Sequence, residues 1–131
     1  MNVKTDTKEK FHVITIEEAS IAANMTAELE QCLQSYLQNN VKNVILNCSD
    51  IQNMDVAAAE TLVKLQQQFY EQNASFVVCH LQPALEESLD NMGLLELMNV
   101  TPTESEAWDI IQMEEIEREL MDDDDPQFNL E

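Results

Sequence analysis

Glycine is almost absent from this chain, since Gly93 is the only one among 131 residues. The loops that wrap nucleotide phosphates, GxGxxG and GxxxxGKS/T, need several glycines so that the backbone can approach the phosphate. The sequence therefore excludes nucleotide binding of those kinds. Gly93 follows an apolar segment that begins near Pro83, and a proline in the first turn with a glycine past the end predicts a short helix between them.

Basic residues are also scarce, with 6 lysines and arginines against 26 aspartates and glutamates, which gives a formal net charge of -20. Such a charge repels the phosphates of nucleic acids and of anionic lipids, so we expect neither among the partners. Long apolar runs are missing: none approaches the roughly 18 residues that cross a bilayer, and the opening MNVKTDTKEK lacks the apolar core of a signal peptide. We therefore expect a cytoplasmic protein that does not insert into membranes.

Metal ligands and nucleophiles are few and far apart. Cys32, Cys48 and Cys79 form no CxxC pair, and each lies in an apolar segment, where a free cysteine behaves as a small buried hydrophobe. Cys79 precedes His80, but consecutive strand residues point to opposite faces and do not easily chelate one ion. Pairs of carboxylates are too common here to mark an acid–base site. We therefore predict no metal, no cofactor and no catalytic residue.

The chain does contain a regular alternation of strand-like and helix-like segments. Apolar, β-branched runs predict strands over 11–16, 44–48, 76–79 and 97–100. Apolar residues at helical spacing predict helices over 24–40, 55–72, 83–92 and 103–120. The second of these is expected to bury Ala58, Leu62, Leu65 and Phe69, and the last opens with a capping box, Thr103-Glu104-Ser105-Glu106. This alternation predicts an α/β fold, a mixed sheet with parallel βαβ crossovers and about four helices packed against it.

One domain is expected at this length. We assign it to residues 1–121, and we expect residues 122–131, with their aspartate run and proline, to form an acidic disordered tail. The predicted last helix carries an apolar stripe made of Ile110, Met113, Ile116 and Leu120. Packing within the chain is the simpler explanation for this stripe, and a homodimer or partner contact is the alternative.

The most specific stretch is VILNCSDIQNMDVAAAETLVKL, followed by ASFVVCHLQPALEESLDNMGLLELMNV. Its strand, aspartate-containing loop and helix opening on alanines resemble the STAS domain family, which includes anti-sigma-factor antagonists and domains attached to sulphate transporters. The resemblance covers residues 11–113. It implies a single STAS-like domain that is not an enzyme, and it implies a protein partner, a GHKL-type serine kinase that also serves as anti-sigma factor in regulation of transcription by partner switching.

In that family a strand leads into an Asp-Ser-Ser-Gly-like motif at the start of a helix, and the partner kinase phosphorylates the second serine. Here Met54 and Asp55 match the residues before the serines. Val56 and Ala57 replace both serines, and Ala58 replaces the glycine. Ala57 therefore stands at the position of the family phosphoserine and has no hydroxyl group. The resemblance implies a docking surface without phosphoserine switching, made of Ser49, Asp55, Val56, Ala57, Ala58 and Thr61.

Three alternatives accompany this interpretation. Thr61, one turn after Ala57, and Ser49, in the preceding loop, are candidate replacement phosphorylation sites. The same resemblance fits an accessory subunit like the STAS component of bacterial lipid-transport ATPases, which binds an ATPase subunit. An enzyme of unknown type is the third alternative.

Asp55 is predicted to act as the N-cap of the helix, with its carboxylate accepting hydrogen bonds from the first turn.

Overall fold

The computed structural model describes the backbone of residues 1–128 and the side chains of residues 1–121. Three strands precede the first helix, two precede the second, and one precedes each of the last two. The strands are β1 (Val3–Thr7), β2 (His12–Ile16), β3 (Ser20–Ile21), β4 (Val44–Asn47), β5 (Asn53–Met54), β6 (Phe76–Cys79) and β7 (Val100–Thr101). The helices are α1 (Thr26–Gln34), α2 (Val56–Glu71), α3 (Pro83–Asn91) and α4 (Glu104–Phe128). Short 3-10 turns lie at Ala23–Met25, Ser35–Gln38 and Leu95–Leu97.

The main sheet has five strands in the order β1-β2-β4-β6-β7. Strand β1 runs antiparallel to β2, and the remaining neighbours are parallel. A second, two-stranded sheet pairs β3 with β5 in parallel, close to the start of α2. The predicted α/β fold, a mixed sheet with parallel crossovers and four helices, is confirmed.

Helices cover both faces of the sheet, because side chains alternate along each central strand and both faces of parallel strands are apolar. The first face carries Ile14, Leu46 and Val78, and the second carries Val13, Ile45 and Val77. Helices α1, α2 and α3 pack on the first face, around the buried Phe69. Helix α4 lies on the second face through Ala107 and Ile111. The result is three layers, with α4 alone on its side.

The predicted central elements agree well with the structure. Strand β6 has the predicted bounds, and α2 runs over Val56–Glu71 where the spacing predicts 55–72. The helix-to-glycine pattern is also confirmed: α3 begins at Pro83, and Gly93 follows it with φ at 75°, the left-handed conformation that glycine adopts without strain. None of the helices in the described residues is both long and apolar enough to cross a bilayer.

Five elements differ from the sequence-based expectation. Strand β1 is not predicted, because four of its five side chains are exposed at the sheet edge and carry no apolar pattern. The two-residue strands β3 and β5 are too short to show any period. The last strand lies at Val100–Thr101 rather than 97–100, since Leu95–Leu97 forms a 3-10 turn. The helix predicted over 24–40 is α only over Thr26–Gln34, with a 3-10 turn at each end.

Helix α4 starts with one half of the predicted capping box: the Thr103 hydroxyl caps the first turn, but the Glu106 carboxylate bonds to that hydroxyl and not to the Thr103 backbone N–H. The Thr103 hydroxyl oxygen accepts the Glu106 backbone N–H at 3.2 Å, and the hydroxyl donates to the Glu106 carboxylate at 3.0 Å. The helix continues to Phe128, beyond the predicted end at residue 120. The helical backbone over 122–128 differs from the disordered tail predicted for 122–131, while residues 129–131, and the side chains from 122 onward, lie outside the described part of the chain. The domain boundary at residue 121 stays a prediction.

Candidate partner-docking site

The loop after strand β4 and the start of α2 lie beyond the carboxyl end of this central strand, where local hydrogen bonds fix their positions. The Ser49 N–H donates to Asn47 Oδ1 at 2.9 Å, which turns the chain immediately after β4. Gln82 Nε2, just before α3, donates to the Ser49 carbonyl oxygen at 2.6 Å. On the other side, the Asp55 N–H donates to the Ile21 carbonyl oxygen at 2.9 Å. The loop is thus attached to both neighbouring segments, and the helix start has a defined position.

Asp55 is the N-cap residue of α2, as predicted, but the predicted side-chain bond is wrong. Its carboxylate makes no hydrogen bond to the first turn of α2. Asp55 Oδ2 instead accepts the Ala23 N–H at 2.9 Å. The reason is the β3–β5 pairing, which pairs Ile21 with Met54 and so brings the 3-10 turn after β3 beside Asp55. The free N–H groups at the start of α2 therefore have no side-chain cap.

Exposure divides the predicted docking residues. Val56 is 51% exposed, and Ser49, Asp55 and Ala57 are also exposed. Thr61 is half-buried, and its hydroxyl donates to the Ala57 carbonyl oxygen at 2.9 Å. A hydroxyl engaged in this way competes with the helix hydrogen bonds around it. We call the five residues Ser49, Asp55, Val56, Ala57 and Thr61 the α2 tip.

Ala58 does not belong to this surface. Its side chain is 0% exposed and lies in the main core. It starts the buried stripe of α2, in which Leu62, Leu65 and Phe69 follow at helical spacing. The spacing therefore predicts its place correctly, whereas the inclusion of Ala58 in the docking surface, carried over from the family motif, is wrong. A residue without exposed surface makes no direct contact with a partner.

The electrostatic character of the α2 tip comes from acidic residues around an uncharged centre. Every charged residue between positions 49 and 61 is acidic, namely Asp50, Asp55 and Glu60, and all three are exposed. The exposed Val56 and Ala57 side chains between them carry no charge. This surface offers a partner a small apolar contact within a negatively charged rim, an arrangement typical of protein–protein interfaces.

Cysteine chemistry is disfavoured at the neighbouring strand ends. Burial raises the pKa of Cys48 to about 12, and the adjacent Cys79 adds to this shift. Burial, followed by the charge of Glu104, raises the pKa of Cys79 to about 12 as well. Both thiols therefore stay protonated at neutral pH, and a protonated thiol is a poor nucleophile. Gln82 and Ala23 are two of the residues outside the α2 tip that hold it in place, and the sequence contains no signal for either of them.

The STAS domain model matches residues 2–107, so the chain belongs to the STAS domain family. Among solved structures, an anti-sigma factor antagonist from Mycobacterium paratuberculosis superposes with a TM-score of 0.72 and 14% identity, over 85% of this chain and 93% of that chain. A variant of RsbS from Moorella thermoacetica superposes with a TM-score of 0.70 and 18% identity, over 86% of this chain and 96% of that chain. The murine anion transporter Slc26a9 superposes with a TM-score of 0.68 and 13% identity, over 79% of this chain and 18% of that chain.

Identities this low show a common fold only. A search of curated protein sequences gives no match. Family and fold together support a protein-interaction module, a class of regulatory domain rather than of enzyme.

Proposed function

We propose that this chain is a non-enzymatic interaction module that resembles an anti-sigma-factor antagonist and binds a regulatory protein through the α2 tip. The observation that carries the proposal is the exposed, uncharged start of α2 at Val56 and Ala57. The resemblance to the family motif implies that Ala57 stands at the position of the family phosphoserine. An alanine there has no hydroxyl, so no kinase can add negative charge at this position. The chain is thereby held permanently in the form that corresponds to an unphosphorylated relative.

Three features of the α2 tip support this function. The apolar contact made by Val56 and Ala57 needs no desolvation of charge when a partner covers it. The uncapped N–H groups of the first turn are available to an acceptor on the partner. Finally, the acidic rim is of the kind that speeds encounter with a basic surface and adds to specificity.

The proposed partner is a GHKL-type kinase acting as an anti-sigma factor, in the cytoplasm, with an effect on transcription. The alternative partner is the ATPase subunit of a lipid-transport complex, which would use the same helix start. Thr61 and Ser49 are weaker candidates for a replacement phosphorylation site. The Thr61 hydroxyl already donates to the Ala57 carbonyl, while Ser49 is exposed in the loop.

Capture of partners from a cell lysate with the wild-type chain and with Ala57→Asp tests the proposal. The added carboxylate would be buried in the centre of the contact without a counter-charge, so we expect captured partner to fall by roughly tenfold or more. Mass spectrometry of the captured protein distinguishes a kinase from an ATPase subunit.

Gln67→Asp is the matched control, because it adds the same charge at an exposed site on the same helix, about 15 Å along the axis from Ala57. This variant is expected to capture as much partner as the wild type. Equal capture by Ala57→Asp and the wild type would show that the α2 tip is not the docking surface.

A further inference from the structure

Strand β1 lies at the edge of the main sheet and has β2 as its neighbour on one side. An edge strand presents a row of backbone N–H and C=O groups to which another strand can bind. The side chains from Lys4 to Thr7 are exposed as well. This edge is separate from the α2 tip, and the inference that follows does not depend on the proposed function.

The hydrogen bonds at the two ends of the β1–β2 pair show which backbone groups point outward. The Lys8 N–H donates to the Phe11 carbonyl oxygen at 2.8 Å, and the Glu17 N–H donates to the Asn2 carbonyl oxygen at 2.8 Å. Hydrogen-bonded pairs alternate along an antiparallel ladder, so the even-numbered residues of β1 face β2. The N–H and C=O groups of Val3, Thr5 and Thr7 therefore point away from the sheet.

The charges on β1 are complementary to a second copy of the same strand. If two β1 strands pair antiparallel about Thr5, Val3 lies opposite Thr7, Thr5 opposite Thr5, and Lys4 opposite Asp6 of the second copy. The Val3–Thr7 and Thr5–Thr5 pairs use the outward-pointing backbone groups. In each of these pairs the two residues exchange both N–H···O hydrogen bonds. The Lys4–Asp6 pairs are non-hydrogen-bonded pairs, in which opposite side chains come closest.

Lysine on an edge strand ordinarily discourages pairing. Here each lysine would meet an aspartate instead. Asp6 is already 3.1 Å from Lys8 of its own chain, so in the paired form its carboxylate would lie near two ammonium groups. Three of the chain's 6 basic residues, Lys4, Lys8 and Lys10, lie in or next to this hairpin. The charged residues of the β1–β2 hairpin are three lysines, Asp6 and Glu9, which sum to one positive charge, so this edge does not share the strong negative charge of the whole chain.

We propose that two copies of this chain associate through β1, about a two-fold axis at Thr5, to join their five-stranded sheets into one. Sedimentation or light scattering over a range of concentrations measures this association, as a rise in mass from 15.0 kDa toward twice that value. Because the pairing is short, we expect a dissociation constant in the micromolar range.

Charge exchange at the two facing positions tests the register. Lys4→Asp places two aspartates opposite each other, and Asp6→Lys places two lysines opposite each other. Each single variant is expected to weaken the dimer by roughly tenfold or more, since a favourable pair becomes unfavourable at both symmetric positions. The double variant, Lys4→Asp with Asp6→Lys, recreates opposite pairs and is expected to dimerise like the wild type.

The single variants control for net charge, because Lys4→Asp makes the chain more acidic and Asp6→Lys makes it less acidic. If overall repulsion governed association, the two would shift the dissociation constant in opposite directions, and that result would overturn the proposal. A wild-type chain whose mass stays at 15.0 kDa at every concentration would also overturn the proposal. In that case β1 would be free to pair with a strand of a different protein instead of a second copy. Failure of the double variant to restore the dimer would contradict the register.

Discussion

Ala58→Asp is expected to lower the free energy of unfolding by at least about 3 kcal/mol, because it places an unpaired carboxylate in the core. The Ala58 side chain is 0% exposed and belongs to the same cluster as Leu62 and Phe69. The described members of that cluster are all apolar, so none of them supplies a cation to compensate the charge. Urea unfolding followed by circular dichroism measures the change.

Ala57→Asp is the control for this experiment, since it makes the same substitution one residue earlier on an exposed side chain. We expect its free energy of unfolding to stay within about 0.5 kcal/mol of the wild type, because an acidic residue in the first turn of a helix is well tolerated. The two variants therefore separate the core from the docking surface. Equal losses of stability for Ala57→Asp and Ala58→Asp would contradict the described orientation of α2.

Glu114→Ala is expected to cost about 1–3 kcal/mol of stability, since it leaves partly buried hydroxyl groups without their acceptor. Glu114 Oε1 accepts the Ser75 hydroxyl at 2.5 Å and the Tyr70 hydroxyl at 2.8 Å. Burial of Tyr70 and its contact with Glu114 raise the pKa of that phenol, so it stays a neutral donor. Asn99 Nδ2 in turn donates to the Tyr70 hydroxyl oxygen at 2.7 Å.

Urea unfolding followed by the fluorescence of Trp108 measures this effect. Trp108 is the only tryptophan, lies on α4 and stacks on Phe11 with ring centroids 4.6 Å apart, so its emission reports the docking of this helix. Glu117→Ala removes the same charge from an exposed site on α4 and is expected to change stability by less than about 0.5 kcal/mol. Indistinguishable losses for Glu114→Ala and Glu117→Ala would show that the hydrogen-bond network does not hold α4.

The central elements could be predicted because they bury apolar side chains with a clear period. Strand β6 is apolar on both faces, and α2 shows its stripe from Ala58 to Phe69. Strand β1 could not be predicted in the same way, since an edge strand with exposed side chains leaves no hydrophobic pattern. The network around Glu114 gives no local signal either, because its members are far apart in the sequence.

The docking site, like the fold, could be predicted from the sequence only in part. Helical spacing places Ala58 in the core, whereas the family motif alone places it beside Ala57 on the surface, and the two predictions conflict until the structure is known. The N-cap position of Asp55 follows from sequence, but the acceptor role of its carboxylate toward Ala23 depends on the β3–β5 pairing. Two-residue strands carry too little pattern for that pairing to be predicted.

Three of the four stripe residues on α4 are exposed: Met113 is 61%, Ile116 56% and Leu120 62% exposed, whereas Ile110 is half-buried and packs against the second face of the sheet. Packing within the described chain therefore accounts for Ile110 but not for the other three, although the sequence favoured that explanation for the whole stripe. Only Ala107 and Ile111, among the described side chains of α4, are buried against the sheet. Met113, Ile116 and Leu120 lie on the side of α4 that faces away from Ile111, so the apolar period on this helix does not mark its buried face.

Amide hydrogen exchange of the chain, with and without its captured partner, tests the docking surface most directly. The first-turn N–H groups of α2 lack a side-chain cap and should exchange rapidly in the free chain. We expect the partner to slow exchange over residues 49–61. Protection confined to β1 or to α4, with rapid exchange retained at the start of α2, would contradict the proposed docking at the α2 tip.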